Sequence, residues 1–392
     1  MLTALKRYFG GLSRDTFLLA FASLFSDIST EMLYPILPVF LTDTLGAKPA
    51  VIGIIEGIAT AGQNVVQGVS GWISDKFQRR KPIALVGYIV AAISKPFIGL
   101  SSTWMEVLAA RSLDRLAAGS RASPRDALVA GSARPEDRGK AFGLEGIGDN
   151  LGAFLGPIIT IVLITWLTVE MRSIFFLTVI PGLAAALMIL LVHEARTPVG
   201  AKTTINLSFR HFPAGYWKYL VVTAVFGLGN SSNSFLILRM RDLGASLATT
   251  VLIYAFFNLV AALASYPAGY LADQLGRKPM LMISFVVFFL VYLGFGSVSS
   301  VSVVALLFIL YGVFQGIYRA VGKTLATDFV APEVRASGVG WFSATVGLSG
   351  LFASIVGGEL WTRFGPSSTF LFGATMSAVG TIAAGVLVSR RT

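Results

Sequence analysis

Nine ionisable side chains stand deep inside the apolar stretches of the N-terminal half of this chain. Asp27 and Glu31 are four residues apart, as are Glu145 and Asp149, which puts both members of each pair on one face of a helix. Arg111, Asp114 and Arg115 form a tight cluster, and Glu56 and Lys95 stand singly. Six acids face three bases, so full ionisation leaves −3 in a low-dielectric setting. Such an excess is relieved by proton binding, and charges at this depth usually mark pathways or relays. Asp27, Glu31, Arg111, Asp114, Arg115, Glu145 and Asp149 are therefore the candidate proton-coupling residues. For Asp114, structural pairing with Arg111 or Arg115 along one helix is an equal alternative. Asp27 has no basic neighbour in its own stretch, which favours a proton or substrate role.

Other chemistry is poorly supplied. The chain has no cysteine, which excludes disulfides and thiolate metal sites, and its two histidines argue against a histidine-rich metal centre. It shows no nucleotide-binding phosphate loop, no dinucleotide fingerprint and no nucleophile–base constellation. The expectation is a non-enzymatic protein without a cofactor, with a proton gradient as its energy source.

The elements that position these charges must be membrane helices. Hydrophobic residues make up 55% and charged residues 13% of 392 positions, against about 25% charged in a soluble domain. A soluble enzyme, a fibrous protein and a disordered chain are excluded. Apolar stretches of about 20 residues, the length that crosses a bilayer, fall at 16–41, 50–73, 82–101, 103–122, 141–167, 172–193, 217–239, 246–271, 279–298, 301–320, 338–360 and 367–388. The polar stretch 194–214 reads as a cytoplasmic linker between an N-terminal six-helix bundle, 1–193, and a C-terminal one, 215–392. The first stretch carries Asp27 and Glu31 and is too long for a cleaved signal peptide. Loops on one side hold 23 Lys/Arg and those on the other hold five, which places both termini in the cytoplasm of a multi-pass inner-membrane protein. The formal charge of +11 is then membrane topology, and no nucleic-acid partner is needed.

The two halves echo each other. Gly71-x3-Asp75-x3-Arg79-Arg80 reappears as Gly269-x3-Asp273-x2-Gly276-Arg277-Lys278. The shift from Asp75 to Asp273 also carries Arg121 onto Arg319, and nearly carries Pro135-Glu136-x-Arg138 onto Pro332-Glu333-x-Arg335. Two parallel six-helix repeats around a central cavity are a transporter architecture. At these residues the chain resembles the major facilitator superfamily, over nearly its whole length. Gln78 stands where the family's loop signature has glycine. In the fifth stretch, Gly143-x8-Gly152-x3-Gly156-Pro157 is similar to the motif of the family's proton-coupled antiporters, the drug and metabolite efflux branch; Thr160 replaces its last glycine.

The resemblance implies a fold of twelve transmembrane helices in two pseudo-symmetric bundles, working by alternating access. It implies that Gly71 and Gly269 belong to gating turns and that Asp75 and Asp273 cap facing helices. Arg79 would pair with Asp126, and Arg277 with Asp328. The span-five glycines would form a tight seam between halves. Arg111 resembles the family's coupling arginine, although Arg115 stands where a glycine is expected. The C-terminal half carries neutral polar groups instead, and Asn230, Asn233, Tyr254, Asn258 and Gln315 are the candidate substrate-cavity residues. The functional expectation is proton-coupled export of a small organic molecule by a protein functional as a monomer, with protons and the lipid bilayer as its other partners. The alternatives are proton-coupled uptake of a small metabolite or siderophore-like compound and, remotely, a non-transporting membrane receptor.

Overall fold

The computed structural model describes residues 12–77, 79–134, 137–194, 212–330 and 335–388, and among these every regular element is helical. We number the helices α1 Arg14–Leu33, α2 Pro49–Phe77, α3 Arg80–Leu100, α4 Trp104–Gly131, α5 Arg138–Thr165, α6 Met171–Leu177 and α7 Val179–Leu191. They continue as α8 Ala214–Gly227, α9 Ser234–Asp242, α10 Leu247–Leu275, α11 Arg277–Ser297, α12 Val301–Asp328, α13 Arg335–Phe364 and α14 Pro366–Leu387. Between α1 and α2 lie a short helical turn, Leu37–Val39, and a π-helical turn, Phe40–Thr44.

Ten helical stretches among the described residues are long and apolar enough to cross a membrane. α4 has the length, at 28 residues, but its charges take it out of that set. The expected span at 217–239 is broken, because Gly229-Asn230-Ser231-Ser232-Asn233 separates α8 from α9. Gly, Asn and Ser favour turns through their backbone freedom and their local hydrogen bonds. The expected span at 172–193 is likewise divided at Thr178, with Pro181 in the first turn of α7, where its missing N–H is harmless. The first span, expected at 16–41, runs Arg14–Thr44; α1 itself stops at Leu33 before Pro35, and the turns Leu37–Val39 and Phe40–Thr44 carry the span on.

Internal contacts divide the chain into two compact units. One contains Met1–Tyr34 and Val65–Thr204, the other Pro35–Asn64 and Ile205–Thr392. The chain therefore changes unit within α2.

In the first unit, Leu19 and Ala22 of α1, Tyr88 of α3, Leu128 of α4, Ala141 of α5 and Ile189 of α7 meet in one buried cluster. Ser13 caps α1 by accepting from Thr16 N at 3.2 Å. Thr103 and Glu106 form a capping box at the start of α4. Lys81 donates to the carbonyls of Leu190 and Val192, 2.8 Å from each, and so closes the C-terminus of α7.

α1 and α5 lie nearly backbone to backbone, because α5 turns glycines toward α1. A Cβ added to Gly148 would come within 2.4 Å of the Ala20 carbonyl oxygen. One added to Gly152 would come within 2.7 Å of Asp27 Cβ, and one added to Gly156 within 2.8 Å of Glu31 Cβ. Small residues permit this approach in membranes, where it gains dispersion contact and interhelical hydrogen bonds. Thr160 supplies such a bond, donating to the Met32 carbonyl at 2.9 Å.

In the second unit the same device joins the start of α2 to α13. Gly53 and Gly57 lie against Ser354 and Leu351, and Gly358 lies against Pro49 and Ala50. The Ala50 N–H donates to Thr362 Oγ1 at 3.1 Å. The core of this unit is aromatic: Phe226 stacks on Phe285 at 3.9 Å between centroids, and Phe288 on Tyr292 at the same distance. Lys278 donates to the carbonyls of Gly385 and Val388 and caps α14, as Lys81 caps α7.

Gly152→Leu forces α1 from α5, and such overpacking costs about 1–3 kcal/mol. The expected outcome is a lower unfolding temperature in detergent, followed by tryptophan fluorescence. Gly146→Leu, where an added Cβ meets nothing within 4 Å, leaves that temperature unchanged or raises it.

Candidate functional site

The charged residues of the first unit form two centres, both organised by α4. Arg111, Asp114, Arg115, Arg121 and Arg125 recur at helical spacing along its 28 residues. From Arg111 to Arg125 the helix rises about 21 Å. The first centre surrounds Asp114. Arg111 pairs with its Oδ2 at 3.0 Å, Arg115 with the same oxygen at 2.8 Å, and Lys95 of α3 lies 3.8 Å from Oδ1. Lys95 donates to Ser29 Oγ at 2.8 Å, and Ser29 donates in turn to the Thr178 carbonyl at 2.7 Å. That carbonyl also accepts from the Gly182 N–H at 3.2 Å, the bond that opens α7. The Arg111 guanidinium lies 5.6 Å from the Tyr34 ring centre. Lys95, Arg111 and Asp114 are all at most 2% exposed.

The second centre surrounds Arg125. It pairs with Asp126 at 3.0 Å, with Glu145 at 3.0 Å and with Asp149 at 3.6 Å. Ser23 of α1 accepts from Arg125 at 3.1 Å and donates to Glu145 at 2.9 Å. Asp27 is half-buried, and Asp149, Glu31, Arg121 and Arg125 lie near enough to act on its charge. Arg121 is itself buried, its guanidinium 4.1 Å from the Tyr88 ring centre.

This geometry changes several sequence expectations. α4 continues to Gly131, so Arg121 and Arg125 join the enclosed charges, while Glu56 is buried in the other unit. The overall −3 gives way to two centres of opposite tendency. Around Asp114 bases outnumber acids. Around Asp27, the four acids Asp27, Glu31, Glu145 and Asp149 face Arg121 and Arg125. Asp27, without a base in its own helix, finds two on α4. Asp126 takes its ion pair from Arg125 rather than from the expected Arg79. Arg277 pairs with Asp328, while Asp273 is exposed and Gly269 half-buried. The surroundings of Gly71, the side chain of Asp75, Gln78 and the paired Pro-Glu motifs lie outside the described residues, as does the linker from 195 to 211. In α5, Gly152 and Gly156 are taken up by α1 of the same unit rather than by a seam between halves, Pro157 is buried and Gly143 is exposed.

In the second unit, Tyr311 of α12 joins two of the expected cavity residues. Its hydroxyl lies 3.3 Å from Asn230 Oδ1 and donates to Asn233 Oδ1 at 3.1 Å, at the break between α8 and α9. Asn258 and Gln315 are half-buried on α10 and α12. Tyr254 is 3% exposed and packs against Phe257 and Phe308, which makes it part of the aromatic core instead of a wall group. Sequence reasoning missed Tyr311, Ser23, Ser29 and the central place of Arg125. The periodicity of the α4 charges was the signal available for Arg125; nothing in the sequence marked the two serines.

The described residues form helices only, ten stretches of them long and apolar enough to cross a membrane, with acid–base pairs enclosed between them. The sequence profile of the Major Facilitator Superfamily matches residues 19–228 and 219–392, and the chain belongs to that family. It is 32% identical over 94% of its length to an uncharacterized MFS-type transporter of Methanocaldococcus jannaschii, covering 93% of that protein. It is 27% identical over 83% of its length to a probable 4-methylmuconolactone transporter of Cupriavidus pinatubonensis, covering 78% of it. The fold matches the crystal structure of the nucleoside transporter NupG, with a TM-score of 0.77 over 97% of this chain and 100% of that one, at 15% identity. The protein is thus a multi-pass membrane transporter.

Asp114→Asn leaves Lys95, Arg111 and Arg115 without their shared acid. Breaking a buried pair costs about 3–5 kcal/mol, so a marked fall in the unfolding temperature in detergent is expected, with Asp114→Glu partly restoring it.

Proposed function

We propose that the protein is a proton-coupled secondary transporter that exports a small organic molecule by antiport. The reading is carried by the acid excess at the second centre. Arg125 engages Glu145, Asp149 and Asp126, and Arg121 is the remaining arginine near Asp27 and Glu31. With every acid ionised, this cluster holds more negative charge than its arginines answer. A proton shared among Asp27, Glu31, Glu145 and Asp149 removes that imbalance. Asp27 is the best placed to take it, being half-buried and fixed by the close seat of Gly152 on its Cβ. Arg125 then exchanges partners as the proton load changes, and α4, which carries both centres, converts that exchange into movement.

Export is supported by the glycine–proline pattern of α5, which resembles that of the family's antiporters. A small organic substrate is supported by the similarity to a probable 4-methylmuconolactone transporter. On this reading the chain crosses the inner membrane twelve times. α4 and the broken α8–α9 pair supply the two crossings that hydropathy leaves out, and 1–193 and 215–392 act as repeats with both termini cytoplasmic. Asn230, Asn233 and Tyr311 offer neutral polar contacts to the substrate. The gradient drives the cycle, and a monomer suffices.

Antiport requires proton and substrate to compete, directly or through the conformational equilibrium. Purified protein in weakly buffered detergent near pH 7, titrated with a compound library, is expected to release protons when one compound class binds. Asp27→Asn is expected to bind that class without release. A compound that binds the wild type with no proton release overturns the coupling.

A further inference from the structure

The centre around Asp114 has more positive charge than it can satisfy. Lys95 and Arg115 have this single acid as their ion-pair partner among the described residues, and Arg111 leans on it as well. Counting Lys95 and Arg115 alone against Asp114 leaves one positive charge over. The donors show the same surplus. A lysine ammonium has three N–H groups. That of Lys95 makes one hydrogen bond among the described residues, to Ser29, and is 2% exposed. Arg115 spends its Nε on Asp114 at 2.9 Å. Its Nη2 pairs with the same Asp114 oxygen at 2.8 Å, and its Nη1 makes no hydrogen bond among the described residues. An enclosed cation whose donors lack acceptors is costly, and the cost is removed by an anion that fits between them.

We infer that Lys95 and Arg115 form the binding site for a carboxylate group of the transported molecule, with Arg111 completing its positive surroundings, so that the substrate is a small organic monocarboxylate. One surplus charge matches one carboxylate, and a guanidinium edge beside an ammonium offers both of its oxygens charge-assisted hydrogen bonds. Arg115 is the point of entry, because its side chain is 14% exposed whereas Lys95 and Asp114 are 2% and 1% exposed. Ser29 and Asp114 hold the two side chains in place and leave two N–H groups of Lys95 Nζ and the Nη1 of Arg115 to the ligand. The inference rests on the transporter reading and not on proton coupling, since the site answers charge at equilibrium without a gradient.

The test uses the full chain in detergent at constant chloride, with acetate, hexanoate and benzoate as probes against benzamide and benzylamine. Thermal shift followed by intrinsic fluorescence reads binding. At least one carboxylate is expected to raise the unfolding temperature in a saturable way, and the neutral amide and the amine are not. Arg115→Gln and Lys95→Met are each expected to weaken that binding at least about tenfold. Arg115→Lys, which keeps the charge, is expected to retain binding between the two extremes and guards against a fold that fails without it. Arg363→Gln, at an exposed pair with Glu359, is the control and binds as wild type. No stabilisation by any of the three carboxylates overturns the proposal. So does an equal effect of benzylamine, or unweakened binding in folded Arg115→Gln. Carboxylate binding without proton release leaves this site standing and removes the antiport reading alone.

Discussion

A charge inside a membrane protein has to be answered by another charge or by hydrogen bonds, and much of the first unit is arranged around that requirement. α4 carries Arg111, Asp114, Arg115, Arg121 and Arg125 at helical spacing, a pattern too polar for a lipid-facing helix. Its neighbours supply what it lacks. α3 brings Lys95 to Asp114, α1 brings Ser23 and Asp27 toward Arg125 and Arg121, and α5 brings Glu145 and Asp149. Tyr34 and Tyr88 offer ring faces to Arg111 and Arg121, which softens the desolvation of guanidinium groups at little polar cost.

The glycines serve that arrangement. Charges act over short distances only if the helices bearing them can approach, and Gly148, Gly152 and Gly156 let α5 approach α1 at Ala20, Asp27 and Glu31. Side chains at those three positions would push Asp27 away from Asp149 and loosen the Ser23–Glu145 bond. A stripe that looks like generic small-residue packing is therefore also what fixes the electrostatics. In the second unit, Gly53, Gly57 and Gly358 perform the same close seating between α2 and α13. There the interior is filled by stacked rings, and Tyr311 gathers Asn230 and Asn233 into a polar cluster beside them.

The fold class was legible because a bilayer imposes one strong rule, a length of apolar helix, and because the Asp75 and Asp273 motifs recur at one shift. What escaped the sequence follows from the same rule. The expected span stops at 122 because Arg125 and Asp126 look like loop residues; in the structure α4 runs on to Gly131, and Arg125 meets Glu145 and Asp149 of α5. The break after Gly227 was hidden because Asn and Ser are tolerated within apolar stretches, and their turn preference shows only when a partner such as Tyr311 takes up the side chains. Asp27, Glu145, Asp114 and Arg115 were each legible as unusual. Which base answers which acid was not, since pairing across helices depends on rotation and depth that spacing along one helix does not specify.

The two centres share a helix, and this ties their charges together. Opposite surpluses at the two ends of one rigid stripe attract, so adding a proton at one end and an anion at the other each lowers the polarity of α4. Each ligand therefore changes what the other gains by binding, and the effect is reciprocal by linkage. In the proposed scheme a proton near Arg125 removes negative charge and so favours an anion near Arg115; this charge effect alone makes the two bind together, and the competition that antiport requires must come from the conformational equilibrium. Antiport by the proposed scheme therefore rests on two conformations that differ in their affinity for the proton and for the anion, with Arg125 and Arg115 of α4 facing the two ligands.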